Sequence, residues 1–94
     1  MRRLLNMKRS DLPYHELIGL RTRVVFSPDP TQIGISGKVI DETANLLIIK
    51  TKNGRVKRIP KKGRVFEFFI RESKVVKLSG KDILGRPEER VKKL

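Results

Sequence analysis

The sequence predicts a mainly β protein, a small antiparallel barrel of five to six strands with short N- and C-terminal helices. Short apolar-polar alternations recur at intervals of roughly 8–12 residues, turn residues separate them, and no segment is typical of a long helix. With 94 residues, the chain fits one domain. Within it we expect an N-terminal helical extension over 1–19, the barrel over 20–80 and a C-terminal helical segment over 81–94.

The N-terminal extension is predicted as two short helical pieces. The first covers residues 4–9. The second lies around Pro13–Leu17, with residues 10–11 as its cap and Gly19 at its end.

The first two strands flank a proline loop. Arg21–Phe26 is rich in β-branched and aromatic residues, whereas Pro28 and Pro30 lack the N–H that a central strand needs. Alternation resumes after Gly34. One face then carries Ile35, Gly37 and Val39, and the other carries Ser36, Lys38 and Ile40.

The middle of the chain predicts a hairpin. Residues 41–45 form a turn, and Leu46–Thr51 is an apolar run suited to a strand buried on both faces. Asn53 and Gly54 then favour a tight hairpin, because both tolerate a positive φ. The next strand, Arg55–Ile59, ends at Pro60.

The last strands are predicted at Val65–Arg71 and Lys74–Leu78, the first with Phe66, Phe68 and Ile70 on one face. Pro87–Leu94 is predicted as a helix, with acids in its first turn and cations in its last. SH3-like, Sm-like and OB-like barrels fit this strand count. Most of the core is expected from Phe26, Leu46–Ile49, Phe66 and Phe68.

The charge of the chain indicates its class of partner. Lys and Arg number 23 against 10 Asp and Glu, a formal net charge of +13. Such an excess repels itself, and a polyanion relieves the repulsion, so nucleic acid is the leading partner. Residues 52–77 contribute ten of the cations and two of the acids. No uncharged run approaches the roughly 20 residues of a membrane span. We expect a soluble, cytoplasmic protein without a membrane partner.

The residues offer little for catalysis. His15 is the single histidine, cysteine is absent, and Asp41 and Glu42 point apart as neighbours on a strand. A phosphate-binding glycine loop with its lysine is absent. We expect no catalytic residue, no metal site and no cofactor in this chain.

The sequence contains more residues suited to binding nucleic acid than to catalysis. Only five aromatic residues are present, and most of them are expected in the core. Because stacking on unpaired bases needs exposed aromatic side chains, we expect the chain to contact the backbone of folded RNA instead. The strongest phosphate site is expected at the turn that holds Lys61, Lys62 and Arg64. The predicted RNA-binding residues are Arg21, Arg23, Lys38, Lys52, Arg55, Lys57, Arg58, Lys61, Lys62, Arg64 and Arg86.

Five stretches, in this order along the chain, carry a family resemblance: Leu12–Leu20, Gly34–Thr43, Asn45–Ile49, Ile59–Phe68 and Leu84–Lys92. Together they resemble archaeal ribonuclease P protein component 1, a relative of a eukaryotic ribonuclease P and MRP subunit. The most specific parts are the Gly-Ile-x-Gly-x-Val-x-Asp-Glu-Thr and Gly-Arg-Pro-Glu-x-Arg patterns. The resemblance covers roughly residues 12–93.

The resemblance implies an Sm-like barrel that assembles on ribonuclease P RNA. That RNA cleaves the 5′ leader from precursor tRNA, using Mg²⁺ that the RNA holds. It also implies a zinc-ribbon partner, ribonuclease P protein component 4, beside the other protein subunits. We expect the apolar side chains around Leu12, Tyr14 and Leu17 to dock the zinc-ribbon subunit.

Two rival functions remain open on the sequence. One is a ribosomal or Sm-like RNA-assembly protein without a role in tRNA processing. The other is a small nuclease, which would cleave RNA without a catalytic RNA.

Overall fold

The computed structural model describes residues 9–71 and 74–90. Most of the predicted helix at 4–9, and residues 91–94 of the predicted terminal helix, lie outside this part of the chain. This described part of the chain contains six strands, β1 (Arg21–Phe26), β2 (Ser36–Glu42), β3 (Leu46–Lys50), β4 (Val56–Pro60), β5 (Val65–Arg71) and β6 (Lys74–Ser79). The helical elements are 3₁₀ turns at Arg9–Tyr14, Pro30–Gln32 and Gly80–Ile83, and α1 (Pro87–Arg90).

The strands form one antiparallel sheet in the order β4-β3-β2-β1-β5-β6. The prediction of a mainly β protein with five to six antiparallel strands is therefore confirmed. The helical piece predicted around Pro13–Leu17 is instead a 3₁₀ turn at Arg9–Tyr14. The ladder is open, with β4 and β6 at its edges. The two edge strands approach each other just after their ends. Lys61 directly follows β4 and Gly80 directly follows β6, and Gly80 packs so closely against the main chain of Lys61 that a Cβ would clash. The sheet is thus curled around its inner face.

The core lies on that inner face. Alternation places Phe66, Phe68 and Ile70 of β5 inside, as predicted. Among the residues whose burial is described, the buried apolar ones are Leu12, Leu17, Leu20, Val24, Val39, Leu47, Ile49, Ile59, Phe66, Phe68, Ile70, Val76 and Ile83. Leu46 and Ile48 are only half-buried, so β3 is fully buried on one face rather than on both.

Phe26 was predicted in the core, and that prediction is wrong, because its side chain is 52% exposed. The β1–β5 pairing shifts register between Val24 and Phe26. A bulge adds one residue and reverses the faces of those that follow. Phe26 therefore points outward.

The β3–β4 hairpin forms where Asn53 and Gly54 predict it. Gly54 adopts φ 83° and donates its N–H to the Thr51 carbonyl at 2.9 Å. Within the described residues every positive φ belongs to glycine, so Asn53 does not share that conformation. The strand that follows runs over Val56–Pro60.

A second register shift, in β2, places the carboxylate of Glu42 inside the protein. Val39 lies opposite Ile49, but Asp41 lies opposite Ile48, so one extra residue stands between them. Ile40 and Asp41 are both exposed as a result, and Glu42 turns to the buried face. Asp41 accepts the Glu42 N–H at 2.8 Å.

Candidate nucleic-acid interface

The outer face of the sheet carries cations on three neighbouring strands. Arg21 of β1 lies opposite Lys38 of β2, and Lys38 lies opposite Lys50 of β3. All three are exposed. Like charges directly opposite each other on paired strands repel. This cation row, Arg21–Lys38–Lys50, is therefore unfavourable in the free protein and favours an external anion.

In the adjacent row of the sheet, Arg23–Glu67–Lys77, a carboxylate compensates the positive charges, and we call this the compensated row. Arg23 Nη2 lies 2.6 Å from Glu67 Oε1, and Glu67 is opposite Lys77 on β6. Positive and negative charges thus alternate across β1, β5 and β6. The contrast shows that the charge of the cation row reflects its position and not only the basic composition of the chain.

The cation row lines a groove of about 360 Å³. Lys52 extends the positive lining, and Ser36 and Thr51 contribute hydroxyl groups. Gly37 stands at the inner side, where a Cβ would strike the Lys50 carbonyl, so glycine permits the close approach of β2 and β3.

The structure brings only part of the predicted RNA-binding set together. Arg21, Lys38 and Lys52 share the groove, whereas Arg23 is paired with Glu67. Arg55, Arg58, Lys62 and Arg86 are exposed elsewhere, and Lys57 is half-buried on the edge strand. Lys50 was not among the residues predicted from the sequence. The register of the β2–β3 hairpin was the signal that could have found it.

Two of the predicted cations also serve the local fold. Arg64 donates from Nε to Gln32 Oε1 at 3.1 Å and from Nη1 to the Lys62 carbonyl at 3.0 Å. The Arg86 N–H donates to Glu89 Oε1 at 3.0 Å, which satisfies a donor at the start of α1. The side chain of Arg86 is exposed.

Lys61 was predicted to contact phosphate, and the structure contradicts that prediction. Its side chain is fully buried, and its Nζ lies 2.9 Å from Glu42 Oε2. The ammonium also donates to the carbonyls of Thr43 at 2.8 Å and Gly85 at 2.9 Å. An RNA phosphate cannot reach Lys61 without opening the fold.

Glu42, Lys61 and Arg90 form a buried ion cluster. Arg90 holds the carboxylate with two donors, Nη1 to Oε2 at 2.8 Å and Nη2 to Oε1 at 3.1 Å. The two cations face one anion, and main-chain carbonyls supply the remaining acceptors. Those carbonyls belong to Pro13, His15, Thr43, Ala44, Ile83 and Gly85. The cluster thus joins the N-terminal turn (Arg9–Tyr14, with His15 directly after it), the strand ends and α1.

The cluster perturbs both of its titratable members. Burial, the largest influence on Glu42, raises its pKa, but hydrogen bonds and charge from Arg90 and Lys61 outweigh it, so the pKa lies below the ordinary value. Burial lowers the pKa of Lys61, and Glu42 opposes that shift only in part.

Acid is expected to unfold the protein partly through Glu42. Between its folded pKa and the ordinary value for glutamate, the unfolded chain binds more protons than the folded protein, so the free energy of unfolding decreases as the pH is lowered. This contribution is complete above the unfolded pKa and lost as pH falls through the folded pKa. Urea midpoints measured from about pH 6 to pH 3 should fall more steeply for the wild type than for Glu42→Gln. Parallel curves would contradict this assignment.

Adjacent lysines provide a second prediction. Lys61→Met leaves the Thr43 carbonyl without its side-chain donor, but Glu42 keeps both hydrogen bonds from Arg90. The variant is therefore expected to cost about 1–3 kcal/mol of stability, with the salt dependence of RNA binding unchanged. Lys62 is exposed, so Lys62→Met should leave stability intact. It should reduce the salt slope, which is the steepness with which the logarithm of RNA affinity falls with the logarithm of salt concentration, by about 0.7–0.9. Thermal melts and RNA titrations at several salt concentrations measure both. Equal effects of the two variants on the salt slope would show the burial of Lys61 to be irrelevant.

Two of the three predicted partner-docking residues are internal. Leu12 and Leu17 are completely buried in the core, so the prediction that they dock another subunit is wrong for the folded chain. Both pack inward because the N-terminal turn covers one end of the sheet, where Arg90 binds its carbonyls. Tyr14 is 46% exposed, and Ile18 is also exposed.

Within residues 9–71 and 74–90, no group of three or more His, Cys, Asp or Glu side chains could hold a metal ion. None of the helices in the same part of the chain is long and apolar enough to cross a membrane. His15 donates or accepts locally, with Nδ1 2.7 Å from the Glu16 carbonyl.

The fold and the cation row define a small antiparallel β protein with a surface suited to a polyanion. Residues 10–93 match the family model described as Ribonuclease P/MRP, subunit p29. The chain belongs to this ribonuclease P/MRP p29 subunit family.

Individual relatives agree with that assignment. The chain is 41% identical to ribonuclease P protein component 1 of Desulfurococcus amylolyticus, covering 94% of this chain and 96% of the relative. It is 49% identical to the protein of the same name from Methanocaldococcus jannaschii, covering 84% and 82%. The solved structure of Mth11, a homologue of human RNase P protein Rpp29, matches with a TM-score of 0.59 and 43% identity, over 82% of this chain and 99% of that one.

Proposed function

We propose that this chain is an RNA-binding protein subunit of ribonuclease P, which assists the catalytic RNA in removing the 5′ leader from precursor tRNA. The observation that carries the proposal is the cation row on the outer sheet face, in a chain of the p29 subunit family. A surface of this kind binds phosphates without reading sequence.

In this proposal the chemistry belongs to the RNA. The RNA holds the Mg²⁺ that cleavage requires, and the protein carries no catalytic residue or cofactor. Its cations neutralise phosphates that would otherwise repel one another, so the folded RNA needs less Mg²⁺ to reach its active form.

The proposed partners follow from the same role. They are ribonuclease P RNA, precursor tRNA, the zinc-ribbon component 4 and the other protein subunits, in the cytoplasm. With Leu12 and Leu17 internal, Tyr14 is the predicted docking residue that stays accessible to the zinc-ribbon subunit.

Reconstituted cleavage tests the proposal. Precursor tRNA is incubated with ribonuclease P RNA and its other protein subunits at limiting Mg²⁺, with and without this chain. We expect the chain to raise the cleavage rate and to lower the Mg²⁺ concentration that half-maximal activity requires. An unchanged rate and Mg²⁺ requirement would overturn the proposal, and cleavage by the protein without RNA would favour a nuclease instead.

A further inference from the structure

We propose that the groove over β1, β2 and β3 binds the phosphodiester backbone of one RNA strand, which crosses the sheet roughly perpendicular to its strands. Arg21, Lys38 and Lys50 each contact a phosphate of that strand. This inference rests on the proposed function and specifies where the RNA lies.

The direction of the strand follows from the register. The three cations occupy one line of paired positions across β1, β2 and β3. Neighbouring strands of a sheet lie about 4.8 Å apart, so the row extends over roughly 10 Å at right angles to the strands. Phe69 and Val56 occupy the same line on the flanking strands, so the cations end at both sides of the groove.

The lining of the groove fits a phosphate backbone. Besides cations it contains hydroxyl groups of Ser36 and Thr51, which donate to phosphate oxygens, and Ile40. Aromatic side chains are absent from the residues that line it, so base stacking has no platform there. The residues that line the groove therefore fit the backbone of RNA.

The compensated row supplies an internal comparison. Arg23 is already paired with Glu67, and Lys77 lies opposite the same carboxylate. No described residue forms an ion pair with Arg21, Lys38 or Lys50. An RNA strand thus relieves repulsion in the cation row, whereas on the neighbouring row it would compete with an existing pair.

The test compares two double variants of the full chain with equal charge loss. Lys38→Gln/Lys50→Gln removes two members of the cation row, and Lys77→Gln/Lys81→Gln removes two exposed lysines outside the groove. The probe is an in vitro transcript of an archaeal ribonuclease P RNA. Its dissociation constant is measured from about 0.05 to 0.3 M salt.

For the cation-row variant we expect the salt slope to fall by about 1.4–1.8, which corresponds to a roughly 25- to 60-fold loss of affinity at 0.1 M salt. Its melting temperature should rise, because a repulsion between opposed lysines has been removed. The control variant should keep most of the slope and affinity. This combination of weaker binding and higher stability separates a phosphate site from a structural role.

Several results would overturn the inference. Equal losses in both variants would mean that binding depends on total charge, and an unchanged slope in the cation-row variant would place the RNA elsewhere. Normal RNA binding with lost association to the other protein subunits would assign the groove to an acidic protein surface. A failure of the proposed function is distinct, because wild-type protein would then neither bind the transcript nor stimulate cleavage.

Discussion

Glu42→Gln is expected to lower the free energy of unfolding by about 3–5 kcal/mol. Glutamine preserves the size of the side chain but leaves Lys61 and Arg90 buried without a counter-charge. Breaking a buried ion pair from one side costs more than the pair itself contributes, because the remaining charge is neither paired nor hydrated. A loss of about 3 kcal/mol corresponds to a melting temperature lower by roughly 12–24 °C in a domain of this size.

Asp41→Asn is the matched control for that variant. Asp41 is the neighbouring carboxylate, but it is exposed, and its contact to the Glu42 N–H can be made by an amide oxygen as well. Its melting temperature should change by a few degrees at most. If chemical denaturation gave Glu42→Gln and Asp41→Asn the same small effect, the ion cluster would not stabilise the fold.

Arg90→Met is expected to have an effect of similar size, about 3–5 kcal/mol. The substitution removes both donors to Glu42 and leaves the carbonyls of Pro13 and His15 without the guanidinium that ties the N-terminal turn to α1. Hydrogen exchange should therefore show the N-terminal turn opening in the variant at a lower free energy than in the wild type.

Arg86→Met, one turn earlier in the same segment, is the control. Its side chain is exposed, and its contribution to the start of α1 comes from its main chain, which the substitution preserves. We expect unchanged hydrogen exchange in the N-terminal turn. Equal opening in the Arg86 and Arg90 variants would contradict the role of Arg90 in joining the N-terminal turn to α1.

Alternation alone was enough to predict much of the fold. The pattern of β5 placed Phe66, Phe68 and Ile70 on one face, and the structure buries all three. Turn chemistry was equally informative, because Asn53 and Gly54 lie in the β3–β4 hairpin and Thr43 accepts the Leu46 N–H at 3.0 Å in the turn before β3. These features depend on residues close in sequence.

The errors at Phe26 and Lys61 come from single-residue register shifts, whereas the burial of Leu12 and Leu17 comes from packing of the segment before β1 into the core. A bulge near the end of β1 turned Phe26 outward, and another in β2 turned Glu42 inward. A period-two pattern predicts faces correctly only until an extra residue reverses them. Lys61 was misplaced for the same reason, since its burial depends on a carboxylate whose inward position the pattern did not reveal.

The cation row was predictable only in part. Arg21 and Lys38 were chosen for their charge on predicted strands, but their alignment with Lys50 depends on strand order and register, which pair distant segments. The total charge indicated a polyanion, whereas the opposed like charges indicate where it lies. Position distinguishes the cation row from other cations of the sheet, because Arg23 carries the same charge but is already paired with Glu67.

A pull-down of the tagged full chain from native extract, followed by sequencing of the bound RNA and identification of the bound proteins, tests the ribonuclease P assignment most directly. We expect enrichment of ribonuclease P RNA together with a zinc-ribbon protein and other ribonuclease P subunits. Enrichment of ribosomal RNA with ribosomal proteins, and no ribonuclease P RNA, would contradict it.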